Sequence, residues 1–333
     1  MKRIWSIQYL RGVAALAVVF FHTLESSTHK FGIGAAGVDI FFIISGFIMA
    51  SLMLGDEARP DVFAFRRLVR IVPIYWLATT AAVAIAWIAP NFFHYMDASV
   101  ENTLLSLAFI PHESQTGAAP VLWQGWTLEY EMFFYTLCTL ALMFLPSSNR
   151  LKTLAGLLLL LSAIGLVLAP THPVARAYTS PLLLEFAAGI GLATAWRAGL
   201  MPRAALGATS LIAGFAVFAA LQIGVLPASG VRVIDWGIPA FLIVAGALCL
   251  EAGGRVAKSR FGLLLGDASY SLYLTHGFVV SAFLWFFADA SLWIRAPVCA
   301  VGSVAVAIAA YLWFERPLMR SLRSVVRLRS VSP

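Results

Sequence analysis

Long apolar runs, each of a length that can cross a lipid bilayer, dominate this sequence. A bilayer core about 30 Å thick requires roughly 20 consecutive apolar residues in a helix. Of the 333 residues, 61% are hydrophobic and only 12% are charged, whereas about 25% are charged in an ordinary soluble domain. We therefore predict an all-α, polytopic integral membrane protein with about ten transmembrane helices, at residues 7–24, 36–54, 72–89, 127–145, 152–169, 181–196, 204–223, 234–250, 268–287 and 294–314.

The basic residues between these runs predict how the chain is oriented. With Arg11 set aside, 18 Lys and Arg residues fall in segments on the same side as the N-terminus. The other side has 4, namely Lys30, Arg176, Arg232 and Arg295. Cytoplasmic segments are the ones rich in Lys and Arg, so both termini are predicted to be cytoplasmic. We expect one transmembrane domain over residues 1–320 and a short basic cytoplasmic tail over 321–333.

The remaining composition excludes several classes of protein. The net charge of +7 is spread over short clusters, as in topology signals, so no nucleic-acid partner is expected. The three cysteines, Cys138, Cys249 and Cys299, lie in apolar runs without metal-binding spacing. We expect them to be packing residues, with no bound metal and no disulfide framework. The first run is too long for a signal peptide and lacks a cleavage site, so it is interpreted as a retained anchor.

The first apolar run contains two ionisable residues, Arg11 and His22. Because ionisable groups are costly inside a membrane, they are candidates for function. Eleven residues make about three helical turns, so both side chains lie on one face, roughly 16 Å apart along the helix. Ala15 and Val18 form a shallow apolar track between them. The alternative is an arginine that snorkels to the surface and a histidine bonded to a backbone carbonyl.

The second run places Asp39 at a depth similar to that of His22. A carboxylate that accepts a hydrogen bond from the imidazole would fix its tautomer and favour its protonated form. The alternative is a carboxylate that interacts with the dipole at the N-terminus of its own helix. Further along this run, Ser45, Gly46 and Phe47 are predicted to allow a close contact with another helix.

Three arginines, Arg66, Arg67 and Arg70, precede the third run. If this segment is helical, their spacings of three and four residues form a basic cluster at the cytoplasmic end of the helix. Such a cluster can serve only as a topology signal. It can also bind phosphate groups from the cytoplasm, because the guanidinium fork matches phosphate oxygens.

The fourth run begins with two glutamates, Glu129 and Glu131, that point about 200° apart on a helix. Glu131 shares its face with Phe134 and Tyr135, which predicts a polar site lined by aromatic rings. Glu129 is expected to face the water on the outer side.

Other polar residues occur in or near the later runs. Glu185 is near the outer end of the sixth run, and Ser269, Tyr273 and His276 form one stripe in the ninth. We expect His276 to be a buried, hydrogen-bonded structural residue. The outer segment 90–126 has no Lys or Arg and contains a short apolar stretch, residues 103–110, that is expected to lie at the interface or to re-enter the protein. It also holds two tryptophans, Trp123 and Trp126.

Taken together, these motifs resemble the acyltransferase-3 family of multi-pass bacterial O-acyltransferases, and most closely its exopolysaccharide-modifying, ExoZ-like branch. They occur in the family's order along the whole chain: YLRGVAALAVVFFH, GVDIFFIISGF, RRLVRIVPIYW, WTLEYEMFFY, EFAAG, SYSLYLTH and ERPL.

The resemblance implies roles for particular residues. The family's essential histidine corresponds to His22 and its upstream arginine to Arg11, while its Arg-x-x-Arg pair corresponds to Arg67 and Arg70. The family's motif glutamate corresponds to Glu131. This chain has Thr127 where the family motif has serine, and Met132 where a second acidic residue often follows.

The expected activity is transfer of an acyl group, in the first instance acetyl, from cytoplasmic acyl-CoA to a hydroxyl of an envelope or exopolysaccharide glycan. The sites expected from the motifs and the resemblance are catalytic (His22, Asp39, Glu131), donor-binding (Arg11, Arg66, Arg67, Arg70) and acceptor-binding (Trp123, Trp126, Tyr135, Glu185). No cofactor is expected to be bound permanently. The expected partners are acyl-CoA, a carbohydrate or lipid-linked glycan and the lipid bilayer, and the expected location is the bacterial inner membrane. The alternative is a secondary transporter or glycan flippase, which also needs charges inside the membrane.

Overall fold

The structure, a computed structural model, describes residues 3–28, 32–55, 59–93, 96–114 and 120–329. In these ranges the chain forms helices and no strand, so the predicted all-α class is confirmed. The α-helices in chain order are α1 (Trp5–Thr28), α2 (Gly37–Met53), α3 (Pro60–Ile88), α4 (Val100–Leu107), α5 (Trp126–Phe144), α6 (Arg150–Leu168), α7 (Pro173–Tyr178), α8 (Leu183–Arg197), α9 (Ala204–Gln222), α10 (Ile238–Ala252), α11 (Arg260–Asp267), α12 (Ser269–Phe286), α13 (Leu292–Ala310) and α14 (Arg316–Arg329).

A helix occupies each of the ten predicted runs. Within the described residues, 7 helical stretches are long and apolar enough to cross a membrane. Helices α5, α8 and α12 are not among them, because α5 contains two glutamates, α8 has only 15 residues and α12 is rich in polar side chains. The protein is therefore a multi-pass membrane protein, and the count of ten remains a prediction.

The chain divides into two compact units. The first unit comprises Met1–Asp56, Pro146–Ala169 and Thr179–Ser269, and the second comprises Glu57–Leu145, Pro170–Tyr178 and Tyr270–Pro333.

In the first unit, α2 packs against α8 with their backbones in close contact. A Cβ atom on Gly46 would overlap the carbonyl oxygen of Phe186, and one on Gly189 would overlap that of Ile43. Small residues at helix interfaces give membrane helices this kind of close approach, which gains dispersion energy where no hydrophobic effect drives association. The predicted close contact at Gly46 is confirmed.

The N-terminal half of α1 is held against the segment that leads into α11. The Tyr9 hydroxyl donates to the Ala257 carbonyl at 2.7 Å and accepts from the Ser259 backbone N–H at 2.6 Å. The Ser6 N–H, which the first turn of α1 leaves without a helical partner, donates to Glu251 Oε2 at 2.7 Å. These contacts fix the part of α1 that carries Arg11.

A buried ion pair joins α2 to the segment that precedes α10. Arg232 donates from Nε to Asp39 Oδ1 at 3.1 Å and from Nη2 to Asp39 Oδ2 at 2.8 Å. The Asp39 side chain is fully buried, and 30% of the Arg232 side chain is exposed. The forked geometry matches two donors to two carboxylate oxygens, the strongest arrangement for such a pair.

In the second unit, α3 packs against α4 and α5. Ser99 caps the N-terminus of α4 by accepting a hydrogen bond from the Asn102 N–H at 3.3 Å. At the C-terminal end of α4, the Leu107 carbonyl accepts a hydrogen bond from the Trp76 indole of α3 at 2.9 Å. The short apolar stretch at residues 103–110 therefore begins as the C-terminal half of α4 and lies against α3.

Helices α5 and α12 are joined by hydrogen bonds in the same unit. Gln124 donates from Nε2 to the Leu274 carbonyl at 3.0 Å, and the Tyr273 hydroxyl donates to the Gln124 carbonyl at 3.1 Å. The Thr127 hydroxyl lies 3.0 Å from that of Tyr273. His276 is buried and its Nδ1 faces the Leu272 carbonyl at 3.2 Å, which confirms its prediction as a hydrogen-bonded structural residue.

The close packing of α2 and α8 predicts that Gly189→Ala destabilises the protein. The new Cβ would lie 2.6 Å from the Phe47 nitrogen, so the backbones must separate. Overpacking of this kind costs about 1–3 kcal/mol. Gly191→Ala on the same helix is the matched control, because nothing lies within 4 Å of its new Cβ. Thermal unfolding in detergent should show a lower Tm for Gly189→Ala alone, and equal Tm values would contradict the described packing.

The buried ion pair predicts a large loss of stability in Arg232→Met. Removing one partner of a buried pair leaves an uncompensated charge, at a cost of about 3–5 kcal/mol. Arg176→Met is the control, since Arg176 forms an exposed pair with Glu113, and such pairs contribute at most about 1 kcal/mol. The double variant Arg232→Met/Asp39→Asn should recover part of the loss in the same unfolding assay. If Arg232→Met is as stable as Arg176→Met, the pair does not stabilise the fold.

Candidate functional site

The predicted site residues divide between the two units. The first unit contains Arg11, His22, Asp39 and Glu185, and the second contains Arg66, Arg67, Arg70, Trp123, Trp126, Glu131 and Tyr135.

On α1, Arg11 is buried and His22 is half-buried. Arg11 donates to Ser269 Oγ at 2.9 Å and to Gln8 Oε1 at 3.2 Å. The imidazole of His22 packs edge-on against the Phe21 ring, with 4.9 Å between ring centroids. The guanidinium is thus held by neutral polar partners near one end of the helix, with the imidazole near the other.

Helix α2 covers the apolar track between Arg11 and His22 on α1. Ala15 and Val18 are buried. A Cβ on Gly37 of α2 would lie 3.1 Å from Val18 Cγ2, so α2 packs directly on this part of α1. The face is therefore filled by the protein's own side chains.

Asp39, Glu185 and Arg232, which we call the Asp39 cluster, form a buried charged group in the first unit. Arg232 also donates to the Ala35 carbonyl at 3.3 Å and places its guanidinium 4.6 Å from the centre of the Trp236 ring. This cation–π contact adds to the ion pair. The position of Asp39 in the first turn of α2 also agrees with the alternative interpretation, a carboxylate at a helix N-terminus.

Glu185, in the first turn of α8, is the second carboxyl of this cluster. It is buried and lies within electrostatic reach of both Asp39 and Arg232. Its Oε1 is 3.0 Å from the position that a Cβ on Gly237 would occupy. Among the described residues, neither Glu185 oxygen makes a hydrogen bond of acceptable geometry. Two carboxyls and one guanidinium therefore meet in one buried place.

Sequence reasoning missed Arg232, which it treated only as one of the few basic residues on the outer side. The signal that could have found it is its isolation in a segment poor in Lys and Arg, directly before an apolar run. It also lies next to a π-helical turn at Val233–Gly237, and such turns often occur at functional sites.

In the second unit, α3 begins at Pro60, so the segment with Arg66, Arg67 and Arg70 is helical as expected. Arg66 is exposed, and Arg67 and Arg70 are half-buried. Arg67 lies within electrostatic reach of Cys138 on α5. Exposure therefore decreases from Arg66 to Arg67 and Arg70 along α3. A helical arginine cluster of this kind, here called the arginine row, can hold a multiply charged anion such as a nucleotide with several phosphates.

Glu131 is part of a polar group formed by α5 and α12. It is half-buried and accepts a hydrogen bond from the Tyr135 hydroxyl at 3.0 Å. The buried phenol of Tyr270 donates to the Ile71 carbonyl at 2.8 Å and lies within electrostatic reach of Glu131 and Arg70. The predicted grouping of Glu131 with Tyr135 is confirmed, and Arg70 approaches the same phenol.

Glu315, which sequence analysis did not single out, also lies within reach of Tyr270. It is buried, and its Oε2 accepts from the Ser271 hydroxyl at 2.6 Å. It ends a π-helical turn at Tyr311–Glu315, at the start of the ERPL motif.

The prediction that Glu129 faces the outer water is wrong. Its side chain is only 5% exposed. Helix α7 and its neighbours cover this face, which a helical wheel of α5 alone does not show. Burial raises the pKa of the Tyr178 phenol on α7, and the nearby Glu129 carboxylate raises it further.

The two tryptophans at the start of α5 are accessible to different degrees. Trp123 is 50% exposed, and Trp126 is half-buried with its ring edge-on to Tyr130 at 5.8 Å. Cys138, Cys249 and Cys299 are buried. Among the residues that the structure describes, no group of three or more His, Cys, Asp or Glu residues could hold a metal ion.

Comparison with known proteins finds a family profile and several similar sequences. A family profile described as an acyltransferase domain matches residues 4–312. The "Exopolysaccharide production protein ExoZ" of Rhizobium meliloti (strain 1021) is 40% identical over 314 residues, which cover 92% of this chain and 96% of that protein.

Two further relatives are more distant. The "Putative membrane-bound transacylase BcsY" of Komagataeibacter xylinus is 28% identical over 309 residues, covering 84% of this chain and 74% of that protein. The "Putative peptidoglycan O-acetyltransferase YrhL" of Bacillus subtilis (strain 168) is 27% identical over 210 residues, covering 56% of this chain and 32% of that protein. No solved structure matches the chain. Because the family match spans nearly the whole sequence, this chain belongs to the acyltransferase-3 family and is a multi-pass bacterial membrane acyltransferase.

Proposed function

We propose that this protein transfers an acetyl group from cytoplasmic acetyl-CoA to a hydroxyl of an exopolysaccharide or other envelope glycan, in the inner membrane. The names of the relatives support a glycan acceptor, since they refer to exopolysaccharide production and to peptidoglycan O-acetylation. The observation that carries the proposal for the donor is the row of arginines on α3, Arg66, Arg67 and Arg70.

Coenzyme A carries three phosphate groups, and they are its most strongly charged part. The α3 arginines would bind them through charge-assisted, forked hydrogen bonds. If both termini are cytoplasmic, as the distribution of Lys and Arg predicts, the exposed end of this row faces the cytoplasm, where acyl-CoA is found. Arg11, held by Ser269 and Gln8, would be a further cation for the donor.

His22 would be the group that acts on the acceptor. As a general base it would take the proton of a sugar hydroxyl while the oxygen attacks the thioester carbonyl. The tetrahedral intermediate would then expel the CoA thiolate, which recovers the proton from the imidazolium. In the second route, the imidazole attacks the thioester and expels the CoA thiolate, and the sugar hydroxyl then takes the acyl group from the imidazole and gives its proton to the thiolate. Both routes need a half-buried imidazole, as observed for His22.

Asp39 would orient His22, and its pairing with Arg232 leaves room for this role. A carboxylate has about four lone-pair positions, and Arg232 occupies two of them, one on each oxygen. Arg232 would then hold the Asp39 carboxylate in place. Glu131, hydrogen-bonded to Tyr135, would be a separate acid–base group in the second unit.

Membrane vesicles test the proposed function and its sidedness together. Labelled acetyl-CoA does not cross membranes, so inside-out vesicles loaded with polysaccharide purified from a deletion strain should transfer the label to it, and loaded right-side-out vesicles should not. His22→Gln should reduce the rate by about two to four orders of magnitude, the usual contribution of a general base, while CoA binding is kept. His172→Gln is the control, because His172 is exposed in an outer segment. Near-normal transfer by His22→Gln would overturn this mechanism.

The arginine row predicts a loss of donor affinity in Arg67→Gln/Arg70→Gln. Charge-assisted hydrogen bonds contribute about 1.5–3 kcal/mol each, so the Kd for CoA should rise by about 100-fold or more. Added salt should weaken CoA binding by the wild type more than by the variant, because the lost contacts are the screened ones. Arg197→Gln, an exposed arginine on the same predicted side, should bind CoA normally. An unchanged Kd in the folded double variant would show that the row is only a topology signal.

A further inference from the structure

The C-terminal part of the second unit is one long helical stretch that no step of the proposed mechanism uses. It comprises α13, a π-helical turn at Tyr311–Glu315 and α14. Residues Leu292–Leu322 of this stretch form a single candidate span of 31 residues, which is about 45 Å long at 1.5 Å per residue. The hydrocarbon core of a bilayer is only about 30 Å thick, so part of the stretch must extend beyond it.

Two tryptophans indicate where this stretch crosses the two surfaces of the hydrocarbon core. Trp293 is 91% exposed and Trp313 is 81% exposed. They lie twenty positions apart, which is about 30 Å of helix and equals the thickness of the core. Tryptophan is enriched at both interfaces of membrane proteins, where its ring lies at the level of the headgroups. Trp313 therefore lies at one membrane surface, and α14 begins just beyond it.

Helix α14 is basic on one face and apolar on the other. It contains five arginines and no Asp or Glu. Four of the arginines recur at helical spacing within an arc of about 60°, and we call them the α14 basic face: Arg316, Arg320, Arg323 and Arg327. Leu318 and Leu322 occupy register positions on the opposite side of the helix.

The exposure of the side chains agrees with this division at the start of α14. Arg316 and Arg320 are exposed, whereas Leu318 and Leu322 are half-buried, and α14 packs against α3. In the part of the chain that the structure describes, neither arginine forms an ion pair with a carboxylate. Both guanidiniums are therefore open to the surroundings, within about two helical turns of Trp313.

The level just beyond Trp313 is where phospholipid headgroups lie. Clusters of Lys and Arg that directly follow a transmembrane helix, or that lie on an amphipathic helix, bind anionic headgroups. The guanidinium fork also matches phosphate oxygens in geometry. A zwitterionic headgroup carries a phosphate as well, but its own cation offsets the attraction. The position and the charge of the α14 basic face therefore favour an anionic lipid.

We propose that the α14 basic face, beginning with Arg316 and Arg320, binds the phosphate groups of anionic phospholipids in the leaflet next to Trp313. The bound lipids hold the start of α14 at the membrane surface. This inference goes beyond the proposed function, because lipid binding requires neither the acyl donor nor the acceptor glycan.

Fluorescence quenching tests the proposal at the residue next to the site. The full-length protein is reconstituted into phosphatidylcholine bilayers that contain phosphatidylglycerol with brominated acyl chains, which quench tryptophan on contact. The difference between wild type and Trp313→Phe isolates the signal of Trp313, and its quenching gives the affinity for phosphatidylglycerol relative to phosphatidylcholine. This relative affinity should be about 10-fold to 30-fold at low salt, because each arginine near the surface adds about 5-fold. It should fall as salt is added, because the contacts are screened.

Two pairs of substitutions, each measured with and without Trp313→Phe, locate the effect. Arg316→Gln/Arg320→Gln should bring the relative affinity for phosphatidylglycerol to within about 2-fold of that for phosphatidylcholine. Arg3→Gln/Arg59→Gln is the matched control, because it removes the same charge from two exposed arginines that are already paired with carboxylates. The control should keep the preference of the wild type.

A wild type that shows no preference for phosphatidylglycerol at Trp313 would overturn the proposal, whatever the variants do. A folded Arg316→Gln/Arg320→Gln variant that keeps the preference would overturn it as well. If that variant instead raises the Kd for CoA, the two arginines belong to the donor site. Equal losses in the variant and in the control would show a general effect of net charge, which also overturns the proposal.

Discussion

The first unit depends on the burial of charge in an apolar protein. Asp39 has no exposed surface, and an ionised carboxylate in such a place requires a cation and hydrogen bonds. Arg232 supplies both, through two donors and a stacked tryptophan. The pair fixes the first turn of α2 relative to the start of α10. Glu185 is held against the same pair from α8, so one charged group determines where three helices begin.

Apart from the charged group, the first unit is held together by close packing between the backbones of its helices. Gly46 and Gly189 allow α2 and α8 to touch, and Gly37 allows α2 to cover the track on α1 between Arg11 and His22. Tight packing leaves little room for water. In the proposed mechanism, such packing near His22 would keep water from the thioester.

The second unit is organised differently, by neutral hydrogen bonds and aromatic contacts. Gln124, Thr127 and Tyr273 join α5 to α12, and Trp76 joins α3 to α4. Its charged side chains, Arg70, Glu131 and Glu315, surround the phenol of Tyr270.

The sequence by itself determined that the chain is a helical, multi-pass membrane protein, and it placed Arg11 and His22 on one helix face and Arg66, Arg67 and Arg70 along another helix. These properties follow from hydrophobicity and helical periodicity, which are local. The tertiary structure decided which charges meet. Asp39 and Arg232 are separated by 193 residues, and Glu129 is buried by helices that its own periodicity does not reveal. Pairing and burial depend on contacts between distant segments, so no local pattern could have specified them.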